Sequence, residues 1–211
     1  MDVTVYIRTH DSRLYLANDL KAMCERAFPQ DVRVLLCNTG APSPHYNEMF
    51  ILELSDLVPA DCSEYTLLLE DDIILSPSSH KALSVAIERG DDHNWYTVDT
   101  TSDILSKSVC VPGYGYILSS ANHISYSGAI LVRTKDLLTF LEEYILHRTE
   151  FEHPNFDITF SAFLLRTHGH LHLRPGHFLQ RPAVVSSITF DKEGRVSYSP
   201  FETFEYTGPE V

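Results

Sequence analysis

Three short apolar runs, each followed at once by polar residues, alternate with amphipathic stretches in the first half of the chain. Residues 3–7, 32–37 and 65–69 are rich in β-branched, leucine and aromatic side chains, which is typical of buried strands. Between them, apolar residues at helical spacing predict one helix that Pro29 ends and another that Pro59 ends. Strand, helix, strand, helix, strand at this spacing predicts a parallel, doubly wound α/β sheet.

The second half of the chain continues the pattern less regularly. Apolar periodicity predicts strands at 95–98, 128–132 and 168–173, helices at 77–89, from Thr134 and from Pro154, and a β-hairpin from 187–190 and 195–198. Residues 100–127 are rich in Ser, Gly and aromatics and lack helical periodicity. They favour a long loop, and loops of this length are often binding segments or lids, here one that would face an acceptor substrate. Residues 199–211 are expected to form a surface tail.

Polar residues terminate all three of the first strands. These are Arg8 and Thr9, then Asn38 and Thr39, then the acidic triplet Glu70-Asp71-Asp72. Because the carboxyl ends of parallel strands share one edge of a sheet, the three sets should meet where such folds bind nucleotides. Three adjacent carboxylates repel one another unless a cation or several donors offset the repulsion. The triplet therefore predicts a metal site, with a simple helix cap before the following helix as the alternative.

Composition and charge narrow the class of protein. The 211 residues suffice for one large domain, and no apolar run approaches the ~20 residues that span a bilayer. The four cysteines are widely spaced and are expected to be free thiols in a reducing compartment, so a cytoplasmic location is expected. The net charge of −13 argues against a general nucleic-acid binder, which would normally have a basic surface.

With these motifs the chain resembles the GT-A fold of nucleotide-sugar glycosyltransferases. Within that superfamily it is similar to the lipopolysaccharide-type galactosyl- and glucosyltransferases and to the type IV branching N-acetylglucosaminyltransferases. The resemblance covers roughly residues 3–188 and rests on four segments in the family's order: Leu69-Glu70-Asp71-Asp72, Ser127 to Val132, Pro154-Asn155-Phe156-Asp157, and Arg174-Pro175 with Gln180 and Ser186-Ser187.

The resemblance implies an α/β, Rossmann-like GT-A fold with a central, mostly parallel sheet flanked by helices. A single catalytic domain would cover residues 1–188, with a nucleotide-sugar half at 1–99 and an acceptor half at 100–188. A hairpin and C-terminal tail would follow at 189–211.

It also implies that Mn²⁺ or Mg²⁺ binds the diphosphate of a sugar donor such as a UDP-sugar. Asp72 would be the first metal ligand and Glu70 a less certain one. His177 would be a substitute for the ligand histidine that the family often has where this chain has Arg181. Donor contacts would come from the remaining polar residues of the strand ends: Arg8, Thr9, Asp11, Arg13, Asn38 and Asp71.

Asp157 matches the position of the base in an inverting transfer, where a carboxylate deprotonates the acceptor hydroxyl. From the sequence alone, a lone acid in the first turn of a helix more often only complements the helix dipole.

The acceptor is left open between a glycan, a lipid-linked sugar and a hydroxylated DNA base of the kind that compact transferases of bacterial viruses modify. Two other functions also remain open. One is a metal-dependent phosphoesterase built from Asp71, Asp72 and a face formed by His168, His170 and His172. The other is a nucleotide- or glycan-binding domain without catalytic activity.

Overall fold

A computed structural model of the protein describes most of the chain up to residue 180 and two short strands beyond it. The described residues are 2–30, 32–40, 45–60, 63–91, 93–96, 107–112, 115–119, 124, 128–147, 155–174, 176–180, 188–190 and 196–198.

Five α-helices occur in this part of the chain: α1 Leu14–Ala27, α2 Tyr46–Leu57, α3 Ser79–Glu88, α4 Thr134–His147 and α5 Phe156–His168. The strands are β1 Val3–Thr9, β2 Arg33–Asn38, β3 Tyr65–Glu70, β4 Ile73–Leu75, β5 His93–Trp95, β6 Ser108–Val111, β7 Gly115–Leu118, β8 Ala129–Arg133, β9 Leu171–Leu173, β10 Phe178–Gln180, β11 Ile188–Phe190 and β12 Val196–Tyr198. Short 3₁₀ turns at Asp11–Arg13 and Val58–Ala60 adjoin α1 and α2.

The central sheet has eight strands in the order β2-β1-β3-β8-β5-β9-β7-β6. The pairings β1–β2, β1–β3 and β5–β9 are parallel. Strands β8 and β7 run against their neighbours, so the other six strands share one direction. The expected α/β fold with a mostly parallel sheet is therefore confirmed, and β2-β1-β3 form its parallel half.

Helices cover both faces of the sheet. All seven residues of β1 are buried, as expected for a strand enclosed on both sides. Tyr6 packs in one core layer with residues of α2, α4 and α5, whereas Val5 and Ile7 pack in the other layer with residues of α1 and α3. The alternation of side chains along β1 thus links the two cores.

Three expectations from the sequence need correction. The strand expected at 95–98 is β5 at His93–Trp95, and the loop expected over 100–127 contains the β6–β7 hairpin at the end of the sheet. The strand expected at 168–173 begins only at Leu171. Apolar residues on α5 extend that helix to His168, and Gly169, with a φ of 76°, ends it in the left-handed conformation.

Other expectations are confirmed or fall outside the described residues. The hairpin near the C-terminus is present as β11 paired antiparallel with β12, whereas the tail at 199–211 is not described. Cys24, Cys37 and Cys110 are free thiols. Among the described residues, no helix is both long and apolar enough to cross a membrane.

Candidate active site

The three polar strand ends meet at one edge of the sheet, as expected. Across the parallel pairings, Thr9 lies opposite Asn38 and Arg8 lies opposite Glu70. This edge is the carboxyl end of β1, β2 and β3, which is where ligands bind in open α/β sheets. The acidic triplet therefore lies beside residues from two other strands.

Asp71 is held by two groups from the end of β1 and the turn after it. Thr9 Oγ1 donates to Asp71 Oδ2 at 2.8 Å, and Arg13 Nη2 lies 2.6 Å from Asp71 Oδ1. Burial raises the pKa of Asp71 to about 6, although Arg13 and the Thr9 hydrogen bond both act to lower it. The carboxylate is fixed in place but remains costly to ionise.

Asp72 is completely buried and is the least satisfied of the three acids. Its Oδ2 lies 3.1 Å from Arg13 Nη2, while Oδ1 accepts no hydrogen bond from any described residue. A buried carboxylate oxygen without a donor is unfavourable because its lost hydration is not replaced. Asp72 is therefore the residue of this edge that would gain most from a bound cation.

Arg13 is the cation now present between the two aspartates. Burial alone would lower the pKa of this guanidinium, but the charges of Asp71 and Asp72 outweigh that effect and raise it. The carboxylate oxygens are hard ligands of the kind that Mg²⁺ and Mn²⁺ prefer, so the residues fit a divalent ion. Such an ion would compete with Arg13 for the same oxygens.

Glu70 belongs to a different group from the two aspartates. Its Oε1 lies 3.6 Å from Arg8 Nη1, and it lines a small cavity with Arg8, Phe50 and Phe156. Burial raises the pKa of Glu70 to about 8, and the charges of Asp72, Asp157 and Asp71 add to that shift while Arg8 opposes it. The acidic triplet is therefore divided between an Arg13 side and an Arg8 side.

Hydrogen bonds connect the Arg8 side of the acidic triplet to the start of α5. Arg8 Nη2 donates to Asn47 Oδ1 at 2.6 Å, and Asn47 Nδ2 donates to Asn155 Oδ1 at 3.1 Å. The Arg8 guanidinium also lies over the Phe50 ring, 4.6 Å from its centroid.

Asp157 follows in the first turn of α5, half-buried, and its charge contributes to the raised pKa of Glu70. The structure thus brings Asp157 to the same site as the strand-end residues.

Asn38 and Asp11 form the rim of the site on the β2 side. Asn38 Nδ2 donates to Asp11 Oδ1 at 3.0 Å, and Asn38 Oδ1 accepts from the backbone N–H of Gly40 at 3.0 Å. The backbone N–H of Asp11 in turn donates to the carbonyl of Gly40 at 2.8 Å. Asp11 therefore fixes the loop after β2 through its side chain and its backbone.

His177 is not brought together with Asp72. In the antiparallel pairing of β4 with β10, Gln180 lies opposite Ile73. His177 lies three residues before Gln180, where its backbone carbonyl accepts a hydrogen bond from the N–H of Ser76. The His177 ring contacts Ser78 Oγ at 2.8 Å through Nδ1. Burial and the charge of Arg174 lower the pKa of His177. Its proposed role as a metal ligand gains no support from this position.

Sequence reasoning missed Asn47 and the aromatic pair of Phe50 and Phe156, because nothing local marks them as site residues. Asn47 is separated from Arg8 by 39 positions and from Asn155 by 108, so only the folded chain reveals the link. Pro154 and Ser186-Ser187 of the resemblance motifs lie outside the described residues, as does Arg181 at the position of the family's ligand histidine. Residues 100–106, 113–114, 120–123 and 125–127 of the expected loop also lie outside them.

Comparison with known proteins shows the fold and no family. No protein-family model matches the chain, and no curated protein matches it. A protein of Bacillus anthracis described as a glucose-1-phosphate thymidylyltransferase superposes with a TM-score of 0.52 at 10% identity, covering 84% of this chain and 89% of that one.

Two further solved structures superpose less closely. A nucleoside-diphosphate-sugar pyrophosphorylase of Vibrio cholerae RC9 gives a TM-score of 0.45 at 11% identity, over 84% of this chain and 75% of that one. A glycosyltransferase involved in glycosylation of the major capsid of PBCV-1 gives 0.47 at 12% identity, over 78% and 75%. The superposition above 0.5 shows a shared Rossmann-like α/β fold, while the two families named from sequence motifs remain a prediction.

The raised pKa of Glu70 predicts a pH-dependent loss of stability in chelator-treated protein. The Glu70 carboxyl has a pKa of about 8 in the folded chain, compared with its ordinary pKa of 4.5 in the unfolded chain. The stability gained from the protonated group is therefore full below pH 4.5 and is lost as the pH rises towards 8. Glu70→Gln keeps a neutral group, so its stability advantage over wild type should grow across this window, to on the order of 1–2 kcal/mol.

Urea unfolding at pH 5 and pH 8 in the presence of EDTA measures this difference. Glu142→Gln, which changes an exposed acid on α4, is the matched control and should show the same difference at both pH values. A Glu70→Gln difference that is equally constant would contradict the electrostatic description of the site.

Proposed function

We propose that this protein is a metal-dependent glycosyltransferase that moves a sugar from a nucleotide-diphosphate donor to an acceptor hydroxyl. The observation that carries the proposal is the environment of Asp72, a fully buried carboxylate at the carboxyl edge of the sheet whose Oδ1 has no donor among the described residues. A buried acid of this kind, next to a second acid and an arginine, suits a site for a cation and a diphosphate.

Asp72 would be the protein's direct ligand to Mg²⁺ or Mn²⁺. Asp71, oriented by Thr9 Oγ1, would ligate or orient from beside it. When bound, the ion would stabilise the negative charge that develops on the departing nucleoside diphosphate. Few protein ligands are needed, because phosphate oxygens and water complete the octahedral shell that these ions prefer.

Arg13 would change partners when the donor binds. It now lies within 2.6 and 3.1 Å of the two aspartates, where a divalent ion would repel it. A guanidinium released from Asp71 and Asp72 has the right shape and charge to contact the donor diphosphate. Arg13 would therefore neutralise the acids in the free protein and the leaving group in the complex.

The donor nucleoside would lie along the β1–β2 side of the edge. Asn38 and Asp11 form the rim there, already oriented by their mutual hydrogen bond, and present amide and carboxylate groups suited to a base or ribose. Arg8 borders the other side of Glu70. The sugar would then lie between the Arg13 side and the α5 side.

Asp157 would act as the base in an inverting transfer. The acceptor oxygen would give its proton to Asp157 as it bonds to the sugar carbon, and the bond from that carbon to the diphosphate oxygen would break. Glu70 is a poor candidate for this step because its pKa of about 8 keeps it mostly protonated at neutral pH. Glu70 would instead interact with the sugar or with Arg8.

The description of the Bacillus anthracis structure as a thymidylyltransferase suggests a different reaction, the transfer of a nucleotide to a sugar phosphate. That reaction requires a nucleoside triphosphate, and such phosphate chains are commonly wrapped by glycine-rich loops. The turn from Arg8 to Arg13 contains no glycine. A diphosphate anchored by a metal and an arginine suits this turn better.

The phosphoesterase alternative is not supported, because its two parts lie apart. The aspartates follow β3 at the carboxyl edge, whereas His93 and the neighbouring histidines lie at the opposite edge, where β8 ends and β5 begins. For the acceptor, the net charge of −13 favours a glycan or lipid-linked sugar over a DNA base.

A panel of nucleotide sugars tests the donor site. With Mn²⁺ present, one donor should raise the melting temperature by several degrees, and the shift should disappear with EDTA or in Asp72→Asn. Asp56→Asn, an exposed acid on α2, is the control and should respond like wild type. If no donor gives a shift, or if Asp72→Asn retains it, the proposed donor site is wrong.

A second prediction separates the base from the metal site. Asp157→Asn should lower the transfer rate by about 10²–10⁴-fold while leaving the donor dissociation constant within about twofold of wild type. The measurements are release of nucleoside diphosphate and calorimetric titration of the donor. Release of pyrophosphate instead would indicate nucleotide transfer, and near-normal turnover by Asp157→Asn would exclude Asp157 as the base.

A further inference from the structure

Four histidines gather at the sheet edge opposite the candidate active site. This histidine cluster consists of His93 at the start of β5, His168 at the end of α5, His170 before β9 and His172 within β9. Ring centroids of His93 lie 4.3 Å from His168, 5.1 Å from His170 and 5.7 Å from His172. The cluster depends on the β5–β9 pairing, which places Asn94 opposite His172.

Ring nitrogens from three members of the cluster lie close to one another. One ring nitrogen each of His93, His170 and His172 lies within 4.8 Å of the other two. Imidazoles bound to one tetrahedral ion at about 2.0–2.1 Å have nitrogens about 3.4 Å apart. Small side-chain rotations would therefore close the triangle around an ion.

One ring nitrogen of His170 is held by the backbone. Its Nδ1 lies 3.1 Å from the backbone carbonyl oxygen of His168. Because a carbonyl can only accept, Nδ1 must carry the proton, and the lone pair is on Nε2. Metal-binding histidines commonly have their second nitrogen held by a carbonyl or carboxylate in this way.

A carboxylate adds negative charge to the cluster. His168 Nε2 lies 3.2 Å from Asp136 Oδ2, and the His168 ring stacks on His93. Asp136 and His93 are both buried, so the charge acts at short range with little screening by water. His168, stacked on His93 and paired with Asp136, would thus help to hold the His93 ring in place.

We infer that His93, His170 and His172 form a second metal site, for a borderline divalent ion of the Zn²⁺, Co²⁺ or Ni²⁺ class. Neutral imidazoles suit these ions, whereas Mg²⁺ and Mn²⁺ favour the oxygens of the acidic edge. Water would complete the coordination, since three protein ligands leave a position open. The site binds its ion independently of the proposed transfer reaction.

The two sites are well separated by the sheet. His93 pairs with Val132, which pairs with Thr66 of β3, while the acidic triplet begins four residues further along β3. With two strand spacings between β3 and β5, the separation is on the order of 15 Å or more. An ion at the histidine cluster would therefore join β5 and β9 to the end of α5 without contacting the aspartates.

Zinc titration of the untagged, EDTA-treated full chain tests the inference. Wild type should bind one Zn²⁺ per chain, and substitution by Co²⁺ should give the visible absorption of a four-coordinate, nitrogen-bound ion. The substitution His170→Ala removes the half-buried ligand. It should weaken Zn²⁺ binding at least tenfold and remove the Co²⁺ spectrum. Far-UV circular dichroism checks that the variant remains folded, and His172→Gln provides a second ligand change.

Two variants locate the ion. His147→Ala removes an exposed histidine at the end of α4, and Asp72→Asn changes the acidic edge; both should bind Zn²⁺ within about twofold of wild type. Absence of Zn²⁺ binding by wild type would overturn the inference. So would binding that survives in both His170→Ala and His172→Gln, or binding that Asp72→Asn abolishes.

Discussion

The organisation of the candidate active site depends on the burial of carboxylates at the end of a strand that is enclosed on both faces. Asp71 and Asp72 both pair with Arg13, and one oxygen of Asp72 accepts no hydrogen bond from a described residue. Such an arrangement lowers the stability of the free protein, because desolvated charges are only partly compensated. Binding of a cation and a diphosphate would relieve this cost, so the unfavourable electrostatics and the proposed activity have the same origin.

The meeting of the strand ends could be predicted from sequence, but the division of the acidic triplet could not. Parallel strands joined by helices place Arg8, Asn38 and Glu70 at one edge whatever the details of packing. Glu70 is separated from the aspartates by its ion pair with Arg8, which Asn47 links by hydrogen bonds to Asn155, the residue before α5. Contacts over such distances along the chain leave no local pattern in the sequence.

The histidine cluster was likewise only partly predictable from the sequence. Alternation from 168 to 173 indicated a strand with three histidines on one face, yet His168 ends a helix and Gly169 reverses the chain. His93, the third ligand of the proposed metal site, comes from β5 and lies 77 positions before His170 in the sequence. One sheet thus has carboxylates at its carboxyl edge and imidazoles at the opposite edge, and the two proposed sites would bind different classes of metal ion.

In the proposed reaction, a divalent ion would take the place of Arg13 beside Asp72 when the donor diphosphate binds. Anomalous diffraction from crystals grown with Mn²⁺ and a nucleoside diphosphate measures this directly. We expect a manganese peak in contact with Asp72 Oδ1 and with the diphosphate, and an Arg13 side chain that has left the aspartates to contact phosphate. A nucleotide bound without manganese at Asp72, with Arg13 still between the two carboxylates, would contradict it.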